Sequence, residues 1–419
     1  YCNKSNYILF KKMKKILLFF VFSFLFISEA LPQLGWKTVN TNFSGRLYGI
    51  TMTSVENLYT CGEAGRIYRS SNYGLNWTLA NQNNGYYLVS IAFYNDQIGI
   101  AVGSNGKILR TSNAGINWNE ISSGVTAVLT CVSLSPDGTG LISGDGGRIF
   151  KTQNFGLNWV AQFTGFNNMF FSVNSINNSI AYAAGDGKVY KTTLGGINWG
   201  ALNSISGTFR SSSFIDANKG WIVGSSLYRT VNGGTSWDTL LSNISGIKSI
   251  KFINDYRGFM VGSGGSILRS NDGGNSWQIQ QSPTINDLEC IYVFNDNIAV
   301  ACGAIGTVLW TENGGVNVNN ISSEIPGSFN LHQNFPNPFN PSTKINFDLT
   351  EPGFVKLTVY DITGKKVDNL VEEFLRSGSY SVNWDSKNLP AGVYIYSINF
   401  FSPSGEKKFT FSRKMNLIK

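Results

Sequence analysis

The sequence predicts an all-β protein built on a seven-bladed β-propeller. Three observations carry this. The octet [S/T]-x-[D/N]-x-G-x-[N/S]-W recurs along the chain, opening at Ser70, Thr111, Thr152, Thr192 (with Leu194 in the Asp/Asn place), Thr230 and Ser270, with a variant from Thr311 to Val318. Tryptophans 36, 77, 118, 159, 199, 237 and 277 fall 38 to 41 residues apart, and a period of about 40 residues with four short strand signals per unit is what a propeller blade requires. Forty-six glycines, with aromatic and charged residues at 14% each, describe a chain of short strands and tight turns.

Taken in order, the chain begins with a leader, residues 1–33. From Met13 to Ala30 a basic start, an apolar run (Ile16 to Ile27) and the small pair Ser28-x-Ala30 read as a secretory signal peptide. The apolar run is too short to span a bilayer. Residues 1–12 read as sequence upstream of the start at Met13. The leader's five lysines against Glu29 supply half of the formal +8 charge. What remains is mildly basic and has no Lys/Arg run to track phosphates, which argues against a nucleic-acid partner.

The ring is expected over residues 34–318. In one unit, Leu88 to Phe93 alternates as a strand, Asn95-Asp96 turns, and Gly99 to Gly103 returns. Ser104-Asn105-Gly106 then turns again, Lys107 to Arg110 runs outward, and the next octet follows. In the octet, Asp or Asn accepts backbone N–H groups two or more residues on, and Gly takes the left-handed dihedrals. The last octet ends at Val318 without a following strand, whereas Trp36 heads a strand with no octet before it. The N-terminal strand is therefore expected to complete the last blade, which removes exposed sheet edges. Residues 319–328 read as a polar linker. Residues 329–419 carry three prolines in a short Asn/Phe stretch (Pro336, Pro338 and Pro341) and then three alternating strands, beginning at Val355, Gly378 and Leu389.

Cys61, Cys131, Cys290 and Cys302 sit in apolar strand patterns and suit buried free thiols. Cys61 and Cys302 also hold the same slot in the first and last repeats, so an exported ring admits a disulfide between them; four cysteines allow three connectivities.

The octets resemble the Asp-box, or bacterial neuraminidase repeat, which joins the two outer strands of a propeller blade on the face opposite the ligand site. The longer frame, fullest from Gly258 to Ser270 (GFMVGSGGSILRS), resembles the seven-bladed propellers of the photosystem II assembly and stability factor family over about residues 36–318. Asn334 to Phe339 (NFPNPF), Val359 to Gly364 (VYDITG) and Leu389 to Tyr396 (LPAGVYIY) together resemble the type A C-terminal sorting domain of the type IX secretion system. That resemblance implies that the propeller is followed by a small Ig-like β-sandwich over residues 329–419, with a sorting signal comprising Asn334, Pro336, Pro338, Gly392, Val393, Tyr394 and Lys419. It also implies passage from the periplasm of a Gram-negative bacterium to the outside or the cell surface, with removal of the domain or attachment to lipopolysaccharide.

Chemistry is sparse. Ser/His/Asp or Cys/His catalysis needs a histidine, and the single one, His332, lies at the entry to the C-terminal domain. No CxxC pair or calcium-loop spacing appears, so no metal or cofactor is indicated. Asp96, Asp137, Asp216, Asp255 and Asp296 recur in one inter-strand turn and read as turn formers rather than paired glycosidase carboxylates. Glu63, Asp145 and Asp186 sit in glycine-flanked turns on the face opposite the boxes and are the best polar candidates for a ligand. Tyr86 and Phe166, with Tyr87, Met169 and Phe170, are loop side chains suited to a sugar ring or a protein anchor. Arg69, Arg110, Lys151, Lys191, Arg229 and Arg269 each precede a box and read as blade-to-blade pairing. The expectation is a secreted or cell-surface binding module for protein or glycan, not an enzyme. The alternatives are a sialidase-like or glucanase-like hydrolase and an assembly factor for a membrane complex.

Overall fold

The computed structural model describes residues 35–419 except 313, 316, 317, 323, 376, 387, 388, 403–405 and 419. The leader and Lys419 lie outside the described residues. Between Lys37 and Thr311, the described residues form seven antiparallel meander sheets. Their innermost strands include Leu47–Met52, Leu88–Phe93, Leu129–Leu134, Phe170–Ser175, Ser211–Phe214, Ile247–Phe252 and Leu288–Val293. Each inner strand touches the next in order, and the first touches the last, so the sheets close into a ring. Closure is made by Lys37–Thr38, which pairs with the third strand of the seventh sheet (Lys37 opposite Trp310, Thr38 opposite Leu309). The fourth sheet has three strands because Ala181–Thr192 runs without a break through a turn that separates two strands elsewhere.

Cohesion comes from apolar clusters between adjacent sheets, such as Leu47, Ile50, Leu58, Val300 and Val308 between the first and the seventh. Burying one such side chain contributes roughly 1.5–3 kcal/mol, and a lone sheet has no partner for it, so each blade depends on its neighbours. Trp36 is fully buried and meets Phe259 edge-on at 6.2 Å, locking the closing strand to the sixth and seventh sheets.

Two expectations need correction. Residues expected to end the ring and begin a polar linker form a strand, Val318–Ser322, hydrogen-bonded to Gly378–Asp385 of the C-terminal domain (Val318 opposite Val382). An unpaired edge at Gly378–Asp385 would expose a row of N–H and C=O groups, and this segment satisfies it. The pairing offered for Cys61 and Cys302 does not form: Cys61 packs between the first and second sheets and Cys302 between the seventh and the first, on opposite faces of one sheet. Burial pushes all four thiols up and keeps them protonated.

The C-terminal domain is a sandwich of two four-stranded sheets around Phe347, Leu357, Tyr396 and Phe400. His332, at the entry to this domain, is half-exposed and pairs its Nε2 with Asp348 Oδ2 at 2.6 Å.

Candidate functional site: the axial cavity

The two ends of the ring differ in chemistry. At one end lie the boxes. The opening hydroxyl accepts the N–H four residues on (Gly74 to Ser70 at 3.0 Å, Gly234 to Thr230 at 2.9 Å), and where the third residue is Asn or Asp it accepts another (Asn76 to Asn72 at 2.9 Å). The fourth box has Leu194 there and keeps the hydroxyl bond, Gly196 to Thr192 at 2.9 Å. The preceding cation reaches the box of the next blade: Arg110 Nε donates to Phe155 O at 2.8 Å, Lys151 Nζ to Gly195 O at 2.8 Å, and Lys191 Nζ to Gly233 O at 3.0 Å. These cations bind blade to blade, as the sequence indicated. The recurring acids share this end, where Asp137 Oδ1 accepts Thr139 N–H and Asp216 Oδ1 accepts Asn218 N–H. In the equivalent turn before Asp96 the acceptor is Asn95.

At the other end the inner strands open a cavity of about 1040 Å³ along the ring axis. Its wall is built from equivalent positions near the start of each inner strand. Blades 1 to 4 contribute Tyr48, Val89, Thr130 and Phe171; blades 5 to 7 contribute Arg210, Lys248 and Glu289. One arc is therefore largely apolar and aromatic, with Tyr87 beside Tyr48 at 5.9 Å between ring centres. The other is charged. Lys248 Nζ donates to Asp287 Oδ2 at 2.9 Å and to Glu289 Oε1 at 2.7 Å, and Arg46 pairs with the same Glu289. The Lys248 ammonium, with the Gly264 N–H at 3.0 Å, holds the Asp287 carboxyl below its usual range. Burial, then the Glu63 carboxylate, raises the Tyr48 hydroxyl.

The turns between second and third strands fold over this mouth. Glu63, Asp145 and Asp186 donate their backbone N–H groups to Arg46, Val128 and Met169 at 3.0, 2.9 and 2.9 Å. All three acids thus lie at the cavity end, Glu63 and Asp145 exposed and Asp186 half-buried. The loop aromatics divide. Tyr87 and Met169 line the cavity. Tyr86 is buried in the cluster between the first two blades, where Asn81 donates to its hydroxyl; Phe166 packs on Tyr190 at 4.2 Å, and Phe170 is fully buried. The loops that carry them lie against the neighbouring blade, so Tyr86 and Phe166 are part of the blade packing. Sequence reasoning missed Tyr48, Phe171, Arg210, Lys248 and Glu289. Superimposing the seven inner strands would have found them, since their neighbours one residue earlier are uniformly apolar (Leu47, Leu88, Leu129, Phe170, Phe209, Ile247, Leu288).

In the sandwich, Asn334 is buried and central. Its N–H donates to Tyr396 Oη at 2.8 Å and its Nδ2 to Pro336 O at 3.1 Å and Thr343 Oγ1 at 3.0 Å. Pro336 and Pro338 are exposed, Gly392 opens the strand Gly392–Phe401, Val393 is exposed, and buried Tyr394 donates to Pro390 O at 2.8 Å.

Residues 333–411 match the secretion system C-terminal sorting domain. The chain is therefore an exported propeller, delivered outside the cell or to its surface by the type IX secretion system, whose machinery reads this domain. No curated protein is similar enough to match. Among solved structures, one described as YCF48 bound to D1 peptide is 18% identical with a TM-score of 0.57, covering 67% of this chain and 98% of its own. YCF48 from Cyanidioschyzon merolae is 20% identical at a TM-score of 0.55, covering 66% and 98%. The WD40 β-propeller domain of Doa1 is 12% identical at 0.57, covering 66% and 95%. At these identities the likeness establishes the propeller fold alone. The family model described as photosynthesis system II assembly factor YCF48 matches residues 28–179 and 235–337, more than half of the sequence, and the chain belongs to that family.

Proposed function

We propose that this protein is a binding module that takes a segment of a partner protein into its axial cavity outside the cell. The observation that carries the reading is the asymmetry of the cavity wall, largely apolar and aromatic over blades 1 to 4 and charged over blades 5 to 7, in a ring whose other end repeats from blade to blade. A wall that served only packing would have no reason to differ around the ring. A concave site with a few polar groups set among apolar ones is the usual form of a binding pocket. One relative was solved with a peptide bound, which favours a protein ligand over a glycan. The same relationship supports a second reading, in which the partner is a membrane-complex subunit held during assembly. Glu63, Asp145 and Asp186 would then meet the partner at the rim.

The test is a binding screen of the full chain against peptide and glycan arrays, with turnover assayed on each hit. Peptide binding lost in Tyr48→Ala and Phe171→Ser supports the reading; cleavage of a glycan replaces it with a hydrolase. Export is tested by deleting residues 329–419, which should leave the ring inside the cell envelope; secretion of the truncated chain would refute the sorting role. A sorted chain that stays on cells until lipopolysaccharide is stripped would be surface-attached.

A further inference from the structure

The turn between the second and third strands differs in one part of the ring. Four residues separate its leading glycine from the next strand in blades 1, 2, 3, 6 and 7, as from Glu63 to Arg66. Blade 4 has three, Asp186 to Lys188, and blade 5 only two, Ser225 and Ser226. In the other six blades the first residue of this turn donates its N–H to the carbonyl preceding the inner strand, folding the turn over the mouth. The two-residue turn of blade 5 keeps only the bond that also closes this turn in blades 1, 2, 3, 6 and 7, from the leading glycine to the residue before the next strand, here Gly224 N–H to Ser226 O at 3.0 Å. The rim is therefore lowest at blade 5, and the cavity spreads into the notch along Thr208, Ser225, Ser245 and Ser263. The family match omits this stretch, skipping residues 180–234.

Arg210 lies beneath the notch. It is exposed, with its guanidinium 5.8 Å from the ring centre of Phe171. Lys248, the other cation lining the cavity, has two carboxylates, whereas Arg210 has none among the described residues. A guanidinium against an aromatic ring keeps an N–H edge free for two parallel bonds to a carboxylate. Val128, Met169, Ile244 and Ile247 line the same cavity, aliphatic and thioether surfaces that suit peptide side chains better than a hydroxylated sugar ring.

We propose that the axial cavity holds an extended acidic peptide that runs out over the blade 5 notch, with Arg210 binding one of its carboxylates. This rests on the protein-binding reading above and narrows it. The test is selection of a random dodecapeptide phage library on the immobilised full chain, then fluorescence polarisation with the selected peptides. The expected result is peptides enriched in Asp or Glu beside apolar residues, with binding weakened about 10-fold or more by Arg210→Gln and less by Arg210→Lys. Inserting two glycines between Ser225 and Ser226 should weaken binding with Arg210 intact and the melting temperature unchanged. Peptides without acidic bias, or bound equally by Arg210→Gln, overturn this inference and leave protein binding standing. Selection of no peptide at all overturns both, and binding of uronate oligosaccharides in their place would assign the cavity to a glycan.

Discussion

The two ends of the ring share one backbone repeat and use it in opposite ways. At the box end, equivalent positions carry equivalent chemistry with two exceptions: a hydroxyl, an Asn or Asp (Leu194 in the fourth box), a left-handed pair ending in Gly, and a cation aimed at the next blade (Trp310 in the seventh). At the cavity end, equivalent positions carry Tyr48, Val89, Thr130, Phe171, Arg210, Lys248 and Glu289. Repetition marks what every blade needs in order to stand beside the next; departure from it marks what the whole ring needs only once. Stability should therefore be concentrated at the box end, and selectivity at the other.

The largest effect that separates the ends is expected from Trp221→Ala. This buried ring stacks on Phe252 at 3.7 Å and donates Nε1–H to Gly273 O at 2.9 Å. Its loss should cost about 3–5 kcal/mol in urea unfolding, with the affinity of the remaining folded protein unchanged. Thr230→Val leaves the Gly234 N–H without its acceptor and should cost about 1–3 kcal/mol; a smaller cost would mean that box hydroxyls are dispensable. Phe171→Ser, in a half-exposed wall position, should lower stability by about 1 kcal/mol or less while abolishing peptide binding. A large stability loss there would erase the distinction between the ends.

A pH effect comes next. The Asp287 carboxyl has a folded value below its ordinary 3.8, through Lys248 and then Gly264. Its contribution is present above pH 3.8 and lost as pH falls through the lower folded value. Asp287→Asn should therefore flatten the melting temperature's decline below pH 3.8 and change little at neutrality. The smallest effect is expected from Leu75→Ser, since this box side chain is 74% exposed; stability should stay within about 0.5 kcal/mol.

Much of the fold was legible in the sequence because its signals are local. Each box forms from eight successive residues, and the closing role of the Trp36 strand followed from an octet without a strand and a strand without an octet. The strand Val318–Ser322 was not legible, because its Asn/Ser composition reads as linker and its partner lies some 60 residues on. Glu63, Asp145 and Asp186 could be assigned to the cavity end because turn order alternates along a meander. The wall itself was hidden: Lys248 meets Asp287 and Glu289, and Arg210 meets Phe171, only across blades. Tyr86 and Phe166 were misread as open loop aromatics because a sequence does not reveal how tightly a loop lies on the next blade.

The pairing of Lys37–Thr38 with Leu309 and Trp310 also sets a timetable. A ribosome adding roughly 5–20 residues per second needs roughly 15 to 55 s to make the intervening chain. For most of that interval Trp36 has neither Phe259 nor the seventh sheet to cover it, and the seventh sheet is complete only at its end. The first part of the ring to be made is thus the last to find its place, and a factor that shields Trp36 during the wait would govern the yield of closed rings.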